Sequence, residues 1–118
     1  MKLKLLIAVI ASAATLAVAN AEERFGVTVY PGAKYDGETS TAVKNMLKSE
    51  VACFTTDDAI AKVAAFYQKQ GLQAVGDITG EGAMFRKGEV DITVQSPWMN
   101  MKTGAMMKGT LVSIVKKK

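Results

Sequence analysis

The chain has 118 residues and a net charge of +4, with no histidine and a single cysteine. A chain of this length buries a modest core and predicts one folded domain. Without histidine it lacks the most common general base and a usual zinc ligand, and one cysteine cannot form an internal disulfide bond. The sequence carries no complete catalytic motif, so we expect a protein that is not an enzyme and that uses no cofactor.

The first 21 residues have the three parts of a cleavable export signal. Two early lysines are followed by an uncharged run over residues 5–19, and small residues stand at the cleavage positions of Ala19-Asn20-Ala21. A helix of that length rises about 22 Å, which is less than the roughly 30 Å hydrocarbon core of a bilayer. We therefore interpret residues 1–21 as a cleaved signal peptide rather than as a membrane anchor. The prediction is export to the periplasm or the extracellular space, with residues 22–118 forming the single domain and no membrane span after cleavage.

The distribution of charge argues against a nucleic-acid partner. Cleavage removes Lys2 and Lys4, which halves the net charge, and three of the remaining lysines end the chain at 116–118. A nearly neutral body with one basic end lacks the basic face that phosphate contacts need. We therefore expect no binding to nucleic acid.

The mature chain begins with an alternating segment. β-Branched residues alternate over Phe25–Tyr30, which predicts a strand, and Pro31-Gly32 predicts a type II turn after it. The stretch over residues 34–41 is polar and is predicted to be a loop. Three apolar residues then recur at helical spacing: Val43, Met46 and Leu47. They predict a short second helix at about 42–49.

The next strand contains the cysteine. Val51–Phe54 is an apolar run that predicts a strand. Cys53 within it is expected to be a small buried hydrophobic residue, because an unpaired cysteine is among the most buried residue types. The alternative is an intermolecular disulfide bond in an oxidising compartment.

The main helix is predicted at about 57–70. Thr55 and Asp58 have the spacing of a capping box at a helix start, and Gly71 suits the left-handed position after a helix end. One apolar stripe marks the face that is expected to be buried: Ile60, Val63, Ala64 and Tyr67.

The C-terminal part predicts more strands. Residues 83–86 and 89–95 form a predicted hairpin, a loop follows over 96–109, and Thr110–Val115 is apolar on both faces, which predicts a central strand. The fold class is therefore α+β with two layers. We expect an antiparallel sheet of about four to five strands, the helix at about 57–70 packed on one face, and the short second helix at about 42–49.

Part of the chain resembles a pattern in small, uncharacterised bacterial exported domains. The pattern is a YPGA turn, a T-x-D helix start and a V-x-x-FY helix, and the matching segments here are Tyr30-Pro31-Gly32-Ala33, Phe54-Thr55-Thr56-Asp57-Asp58, and Val63 with Ala65-Phe66-Tyr67. The similarity covers about residues 27–72. It implies a fold and carries over no catalytic residue.

The segment over residues 96–107 holds the only tryptophan, Trp98, and four methionines, Met99, Met101, Met106 and Met107. Three interpretations stand side by side. The loop caps the core, because methionine fills irregular gaps well. Alternatively, it is an exposed surface for a protein or cell-envelope partner, centred on Trp98, Met99 and Met101, because tryptophan and methionine are enriched at interfaces. The third interpretation is a Cu(I) or Ag(I) site, because thioethers favour soft cations.

The metal interpretation rests on a spacing and on a resemblance. Met99-x-Met101 places two thioethers on one side of an extended backbone, and Met106 or Met107 is the expected third ligand. Trp98 beside Met-x-Met resembles the arrangement in a periplasmic Cu(I)/Ag(I) chaperone family. That family adds a histidine ligand, which this chain lacks. The leading hypothesis is an exported non-catalytic module that binds a protein or envelope component, with a Cu(I)/Ag(I)-binding protein as the alternative.

Overall fold

The computed structural model describes residues 22–117, so the predicted signal peptide lies outside the described part. The elements follow in this order: β1 (Glu23–Arg24), β2 (Val27–Thr28), β3 (Lys34–Tyr35), α1 (Gly37–Leu47), β4 (Glu50–Thr56), α2 (Ile60–Lys69), β5 (Gln73–Ala74), β6 (Gly82–Lys87), β7 (Val90–Gln95), β8 (Trp98–Met99), β9 (Met106–Met107) and β10 (Thr110–Lys116). Neither of these two helices has the length and apolar character needed to cross a lipid bilayer.

The centre of the fold is a six-stranded antiparallel sheet. Its strand order is β3-β4-β10-β7-β6-β5, and β10 pairs with β4 on one side and with β7 on the other. The prediction of an α+β fold with a mainly antiparallel sheet is confirmed, and so is the central position of β10. The predicted four to five strands are corrected to six, because β3 and β5 extend the sheet at its edges. These strands are two residues long and are too short to show an alternating pattern.

The predicted strand over Phe25–Tyr30 is interrupted by a tight turn. Phe25 and Gly26 both have positive φ, at 53° and 80°, and join β1 to β2 as a separate two-stranded hairpin. Two successive residues with positive φ form the type I′ turn that matches the twist of a hairpin. The turn at Gly32 is as predicted, with φ of 83° and a hydrogen bond from the Ala33 amide to the Tyr30 carbonyl.

Helix α2 packs on one face of the sheet along the predicted apolar stripe. That face is built by alternate residues of the long strands, including Phe54, Phe85 and Ile114. The predicted capping box is wrong: α2 begins after Ala59, which makes no side-chain cap, and Thr55 belongs to β4. The Asp58 carboxylate instead accepts a hydrogen bond from the Tyr30 hydroxyl at 2.5 Å.

Helix α1 begins earlier than predicted and lies on the opposite face. Asp36 caps it by accepting a hydrogen bond from the Thr39 amide at 3.0 Å. The buried Ser40 hydroxyl accepts a hydrogen bond from the Cys53 amide at 2.7 Å. Because successive residues of a strand point to opposite faces, Cys53 faces α1 while Phe54 faces α2. The sheet is therefore covered on both faces near β4, which adds a partial third layer to the predicted two.

Candidate functional site

The predicted loop over residues 96–109 contains a small β-ribbon. Strands β8 and β9 pair so that Trp98 is opposite Met107 and Met99 is opposite Met106. Since side chains alternate along a strand, the Met99–Met106 pair and the Trp98–Met107 pair point to opposite sides of the ribbon. We call the segment over residues 96–109 the methionine ribbon.

Hydrogen bonds hold the methionine ribbon at its tip and its base. The Asn100 side-chain oxygen accepts from the Lys102 amide at 2.9 Å and from the Thr103 amide at 3.2 Å. The Gly104 amide donates to the Asn100 carbonyl at 2.7 Å. At the base, the Ser96 hydroxyl donates to the Gly109 carbonyl at 2.8 Å. These bonds give the ribbon a defined shape, so its side chains are displayed from a fixed scaffold.

Trp98 caps a second small core on the α1 face of the sheet. It is 5% exposed and packs with Val43, Cys53 and Leu111. Its indole Nε1–H is buried and has no hydrogen-bond partner among the described residues. A buried donor without a partner costs about 1–3 kcal/mol, so the favourable contribution of Trp98 is the burial of its rings.

The four methionines of the ribbon remain at the surface. Their exposed fractions are 55% for Met99, 41% for Met101, 62% for Met106 and 36% for Met107. Core capping, one of the three interpretations from sequence, therefore applies to Trp98 and not to the methionines. Packing in the core does not explain these methionines, because large parts of their side chains are in contact with solvent. Exposed apolar side chains that cluster in this way are typical of an interaction site.

Three of these methionines line one open groove of about 600 Å³ between α1 and the methionine ribbon. Its rim is formed by the large, exposed apolar side chains of Met46, Leu47, Met99, Met101 and Met106. Its floor is the α1 face of the sheet, where Thr93 and Ser113 add hydroxyl groups. Among the described lining residues, Glu81 alone carries a charge. We call this feature the methionine groove.

The structure separates the candidate residues that the sequence places together. Met99, Met101, Met106 and Trp98 line the methionine groove, whereas Met107 lines a different cavity. The extended backbone that would place Met99 and Met101 on one side does not continue to Met101, since β8 ends at Met99 and Met101 lies in the turn that follows. Met101 reaches the groove from that turn.

The second cavity, of about 580 Å³, lies on the other side of Trp98 and is more polar. It contains Asp36, Asp57 and Asp58. Two of these carboxylates have structural partners, since Asp36 caps α1 and Asp58 accepts from the Tyr30 hydroxyl. Burial, reinforced by Asp58, raises the pKa of Tyr30 to about 12. Asp36 and Asp58 therefore serve the fold: Asp36 holds the start of α1, and Asp58, in the link from β4 to α2, bonds to Tyr30 of the N-terminal segment.

Cys53 lies beneath the methionine groove as a buried thiol. It is fully buried, as predicted, and its Sγ is 3.4 Å from the Ser113 hydroxyl oxygen. Burial raises the pKa of this thiol, which lowers the amount of reactive thiolate. Cys53 thus has the surroundings of a structural residue and not of a nucleophile.

Sequence reasoning missed the contribution of α1 to the site. Met46 and Leu47 recur with Val43 at helical spacing, but of these three residues only Val43 is buried.

The comparisons add no relative to this description: no protein-family model, curated protein or solved structure matches the chain. The resemblance to small exported domains therefore stays a prediction. The function has to be inferred from the methionine groove itself.

Proposed function

We propose that this protein is an exported, non-catalytic module that binds an amphipathic helix of another protein in the cell envelope. The observation that carries the proposal is the methionine groove. Five large apolar side chains from two separate elements are exposed around one depression: Met46, Leu47, Met99, Met101 and Met106. Clustered exposed apolar surface of this kind marks an interaction site more often than isolated apolar residues do.

The lining of the groove favours an apolar occupant. Glu81 is the one charged residue among the described lining residues, so a charged ligand would find little electrostatic complement. Methionine side chains are flexible and polarisable, and they repack around apolar faces of different shape. The groove therefore suits apolar side chains presented by a partner.

The edges of the sheet favour a helix over a strand as the occupant. A partner strand joins a sheet by pairing with an exposed edge. Here the edge strands are β3 and β5, and each pairs over only two residues. Such short edges offer a poor template for strand addition. A helix satisfies its own backbone hydrogen bonds and needs from the groove only contact with its apolar face.

The binding proposal is tested with a labelled peptide. The probe is an amphipathic peptide of leucine, glutamine and lysine, about 18 residues long so that it is helical when bound. Its fluorescence anisotropy is measured against increasing protein, with a scrambled peptide of the same composition as the reference. We expect saturable binding of the amphipathic peptide and weaker binding of the scrambled one. Equal binding of the two peptides would show that the groove does not recognise an apolar helical face.

Variants locate the binding to the groove. The double variant Met99→Gln with Met106→Gln replaces two rim side chains by polar ones of similar length. Losing the burial of two half-exposed methionines costs on the order of 2 kcal/mol, which weakens binding about tenfold or more. Met84→Gln is the matched control, because Met84 is half-buried on β6 outside the methionine groove. The proposal fails if the double variant and the control bind equally well.

Export is part of the same proposal and has its own test. The supporting feature is the signal peptide pattern over residues 1–21. We expect the mature protein, isolated from the bacterial envelope or medium, to begin at Glu22 when its intact mass is measured. Ala19→Asp with Ala21→Asp places charges at the cleavage positions and should leave the precursor uncleaved. A full-length mass for the exported wild-type protein would contradict the proposal.

A second candidate function is Cu(I) or Ag(I) binding by the same groove. The observation that favours it is the grouping of three thioethers, since Met99 and Met106 are a directly opposed pair and Met101 lines the same groove. Thioethers favour these soft cations. The Trp98 indole, which also lines the groove, would add a cation–π contribution. Met107 is not part of this set.

The metal candidate is tested by anaerobic titration of Cu(I) against a competing chelator, with fluorescence of Trp98 as the readout. Binding beside the indole should quench the fluorescence at one equivalent of metal. Met99→Ala with Met101→Ala should abolish the quenching, and Met84→Ala should preserve it. No quenching in the wild-type protein would rule out the metal function and leave the binding of a helix as the remaining candidate.

A further inference from the structure

Among the described residues, the sulfur atoms that solvent reaches belong to methionine side chains. Cys53 is fully buried and burial raises its pKa, so its thiol is withheld from solution oxidants. By contrast, Met46, Met99, Met101 and Met106 are between 41% and 62% exposed. All four line the methionine groove. An oxidant that reaches this surface therefore meets several methionines at one site.

We infer that the methionine groove is a reversible oxidation site, in which conversion of Met46, Met99, Met101 and Met106 to sulfoxides releases the bound partner. The inference rests on the proposed function, because it states how oxidation would regulate binding to the same groove. The oxidant belongs to the class of peroxides and the product is methionine sulfoxide. The class of reaction that reverses it is thiol-dependent sulfoxide reduction.

The oxidation balances with hydrogen peroxide as the co-reactant. A lone pair of the thioether sulfur attacks one peroxide oxygen, the S–O bond forms and the O–O bond breaks. The sulfur loses two electrons, and the departing hydroxide takes up the remaining proton and leaves as water. In the reverse reaction two thiols become a disulfide, and the sulfoxide oxygen leaves as water.

The position of these side chains explains why oxidation would act on binding and not on folding. A sulfoxide is polar, so covering it with an apolar helix face removes its hydration without supplying a hydrogen bond. In the unbound protein the four side chains are exposed to water, and a sulfoxide there remains hydrated. Met99 and Met106 are directly opposed, so oxidation of both places two polar groups together at the rim of the groove.

The first experiment measures where oxidation occurs. The wild-type protein is treated with limiting hydrogen peroxide, and sulfoxide at each methionine is measured by peptide mass spectrometry. We expect the four groove methionines to oxidise several-fold faster than Met84, the half-buried methionine outside the groove. Far-ultraviolet circular dichroism should stay unchanged. The inference is overturned if Met84 oxidises as fast as Met106.

The second experiment measures the effect on binding of the amphipathic leucine, glutamine and lysine peptide. Oxidation should weaken binding by at least about tenfold, and treatment with a methionine sulfoxide reductase and dithiothreitol should restore it. In the quadruple leucine variant, peroxide should change the affinity by less than twofold, whatever its starting value; its substitutions are Met46→Leu, Met99→Leu, Met101→Leu and Met106→Leu. Met84→Leu should keep the full response to peroxide.

The outcomes separate the two proposals. If the reduced protein binds the peptide and the oxidised protein binds it equally well, oxidation control is overturned and the binding function stands. If the reduced protein gives equal, weak binding of the amphipathic and scrambled peptides, the binding function fails, and with it the control of binding by oxidation. If peroxide weakens binding in the leucine variant as much as in the wild-type protein, the assignment to the groove methionines is wrong.

Discussion

Met99 lies directly opposite Met106 in the β8–β9 ribbon, and more than half of each side chain is exposed. The pair stands on a scaffold tied by Asn100 at the tip and by Ser96 at the base. The methionines are therefore displayed by the fold without being needed to hold it together. Met99 and Met106 are therefore available for the proposed binding, while Asn100 and Ser96 hold the shape of the ribbon.

The first prediction concerns stability of the rim variants. Met99→Gln and Met106→Gln should each change the free energy of unfolding by less than about 0.5 kcal/mol, as is usual for exposed positions. The measurement is urea unfolding followed by circular dichroism. The unfolding free energy should fall with urea concentration at the same slope as in the wild-type protein. A loss of more than about 2 kcal/mol would indicate that the ribbon depends on these side chains for its packing.

The second prediction concerns Trp98. Trp98→Ala should lower the free energy of unfolding by about 3–5 kcal/mol, because it removes the largest side chain of the second core and leaves a cavity. Trp98→Phe should cost less than half of that. Phenylalanine keeps an aromatic ring against Val43 and Leu111 and removes the indole N–H that has no partner.

Urea unfolding of both variants is followed by circular dichroism, because replacing Trp98 removes the tryptophan fluorescence of the protein. The control is Met107→Ala, which truncates the side chain opposite Trp98 but at an exposed position. A similar loss of stability in Trp98→Ala and Met107→Ala would contradict the assignment of Trp98 as the core residue of the ribbon.

The third prediction concerns the thiol. Cys53 is fully buried, and burial raises its pKa, so in the folded protein it should react with a disulfide reagent such as dithionitrobenzoate only as fast as the protein opens. In concentrated urea the reaction should be complete within mixing. A rapid reaction of the folded protein would mean that the α1 face of β4 is open to solvent. The same assay in Trp98→Ala should show faster labelling, because Trp98 covers Cys53.

The fourth prediction is a loss of stability at alkaline pH. Burial and Asp58 raise the pKa of Tyr30 to about 12, and burial raises the pKa of Tyr67 above its usual value as well. An unfolded tyrosine loses its proton near pH ~10, whereas Tyr30 in the folded protein keeps it until about pH 12. Between these values the unfolded state binds fewer protons than the folded state, so the free energy of unfolding falls as pH rises.

Urea unfolding at about pH 9 and about pH 11 checks this prediction. The loss between the two values should be smaller in Tyr30→Phe, by roughly 1.4 kcal/mol, because one of the groups that titrates differently in the two states is removed. The variant also loses the hydrogen bond to Asp58, so its stability at pH ~9 is the reference for the comparison. An unchanged pH dependence in Tyr30→Phe would show that the hydroxyl is not protected by the fold.

The elements that sequence predicted well are those in which one strong pattern acts over many residues. The stripe from Ile60 to Tyr67 predicted α2 and its buried face, because helix periodicity depends only on local spacing. The apolar character of Thr110–Val115 on both sides predicted a central strand, because such a segment has to be covered on both faces. Local patterns of this kind do not depend on where the rest of the chain lies.

The start of α1 was missed for a physical reason. Thr39 and Ser40 are buried against the sheet, and polar residues at those positions hide the apolar periodicity of the helix. Ser40 is tolerated there because its hydroxyl accepts a hydrogen bond from the Cys53 amide and donates one to the Asp36 carbonyl. That compensation comes from a strand that follows in sequence, so it is visible only once the two elements are packed together.

The sequence by itself determined the composition of the site: one tryptophan and four methionines in a single segment, with no histidine anywhere in the chain. Only the tertiary structure decided that Trp98 is buried, that Met99 and Met106 face the solvent together, and that Met46 joins them from α1. The reason is that burial is a property of contacts between distant segments. Local spacing states which side chains share a face, but the elements packed against that face decide whether it becomes core or surface.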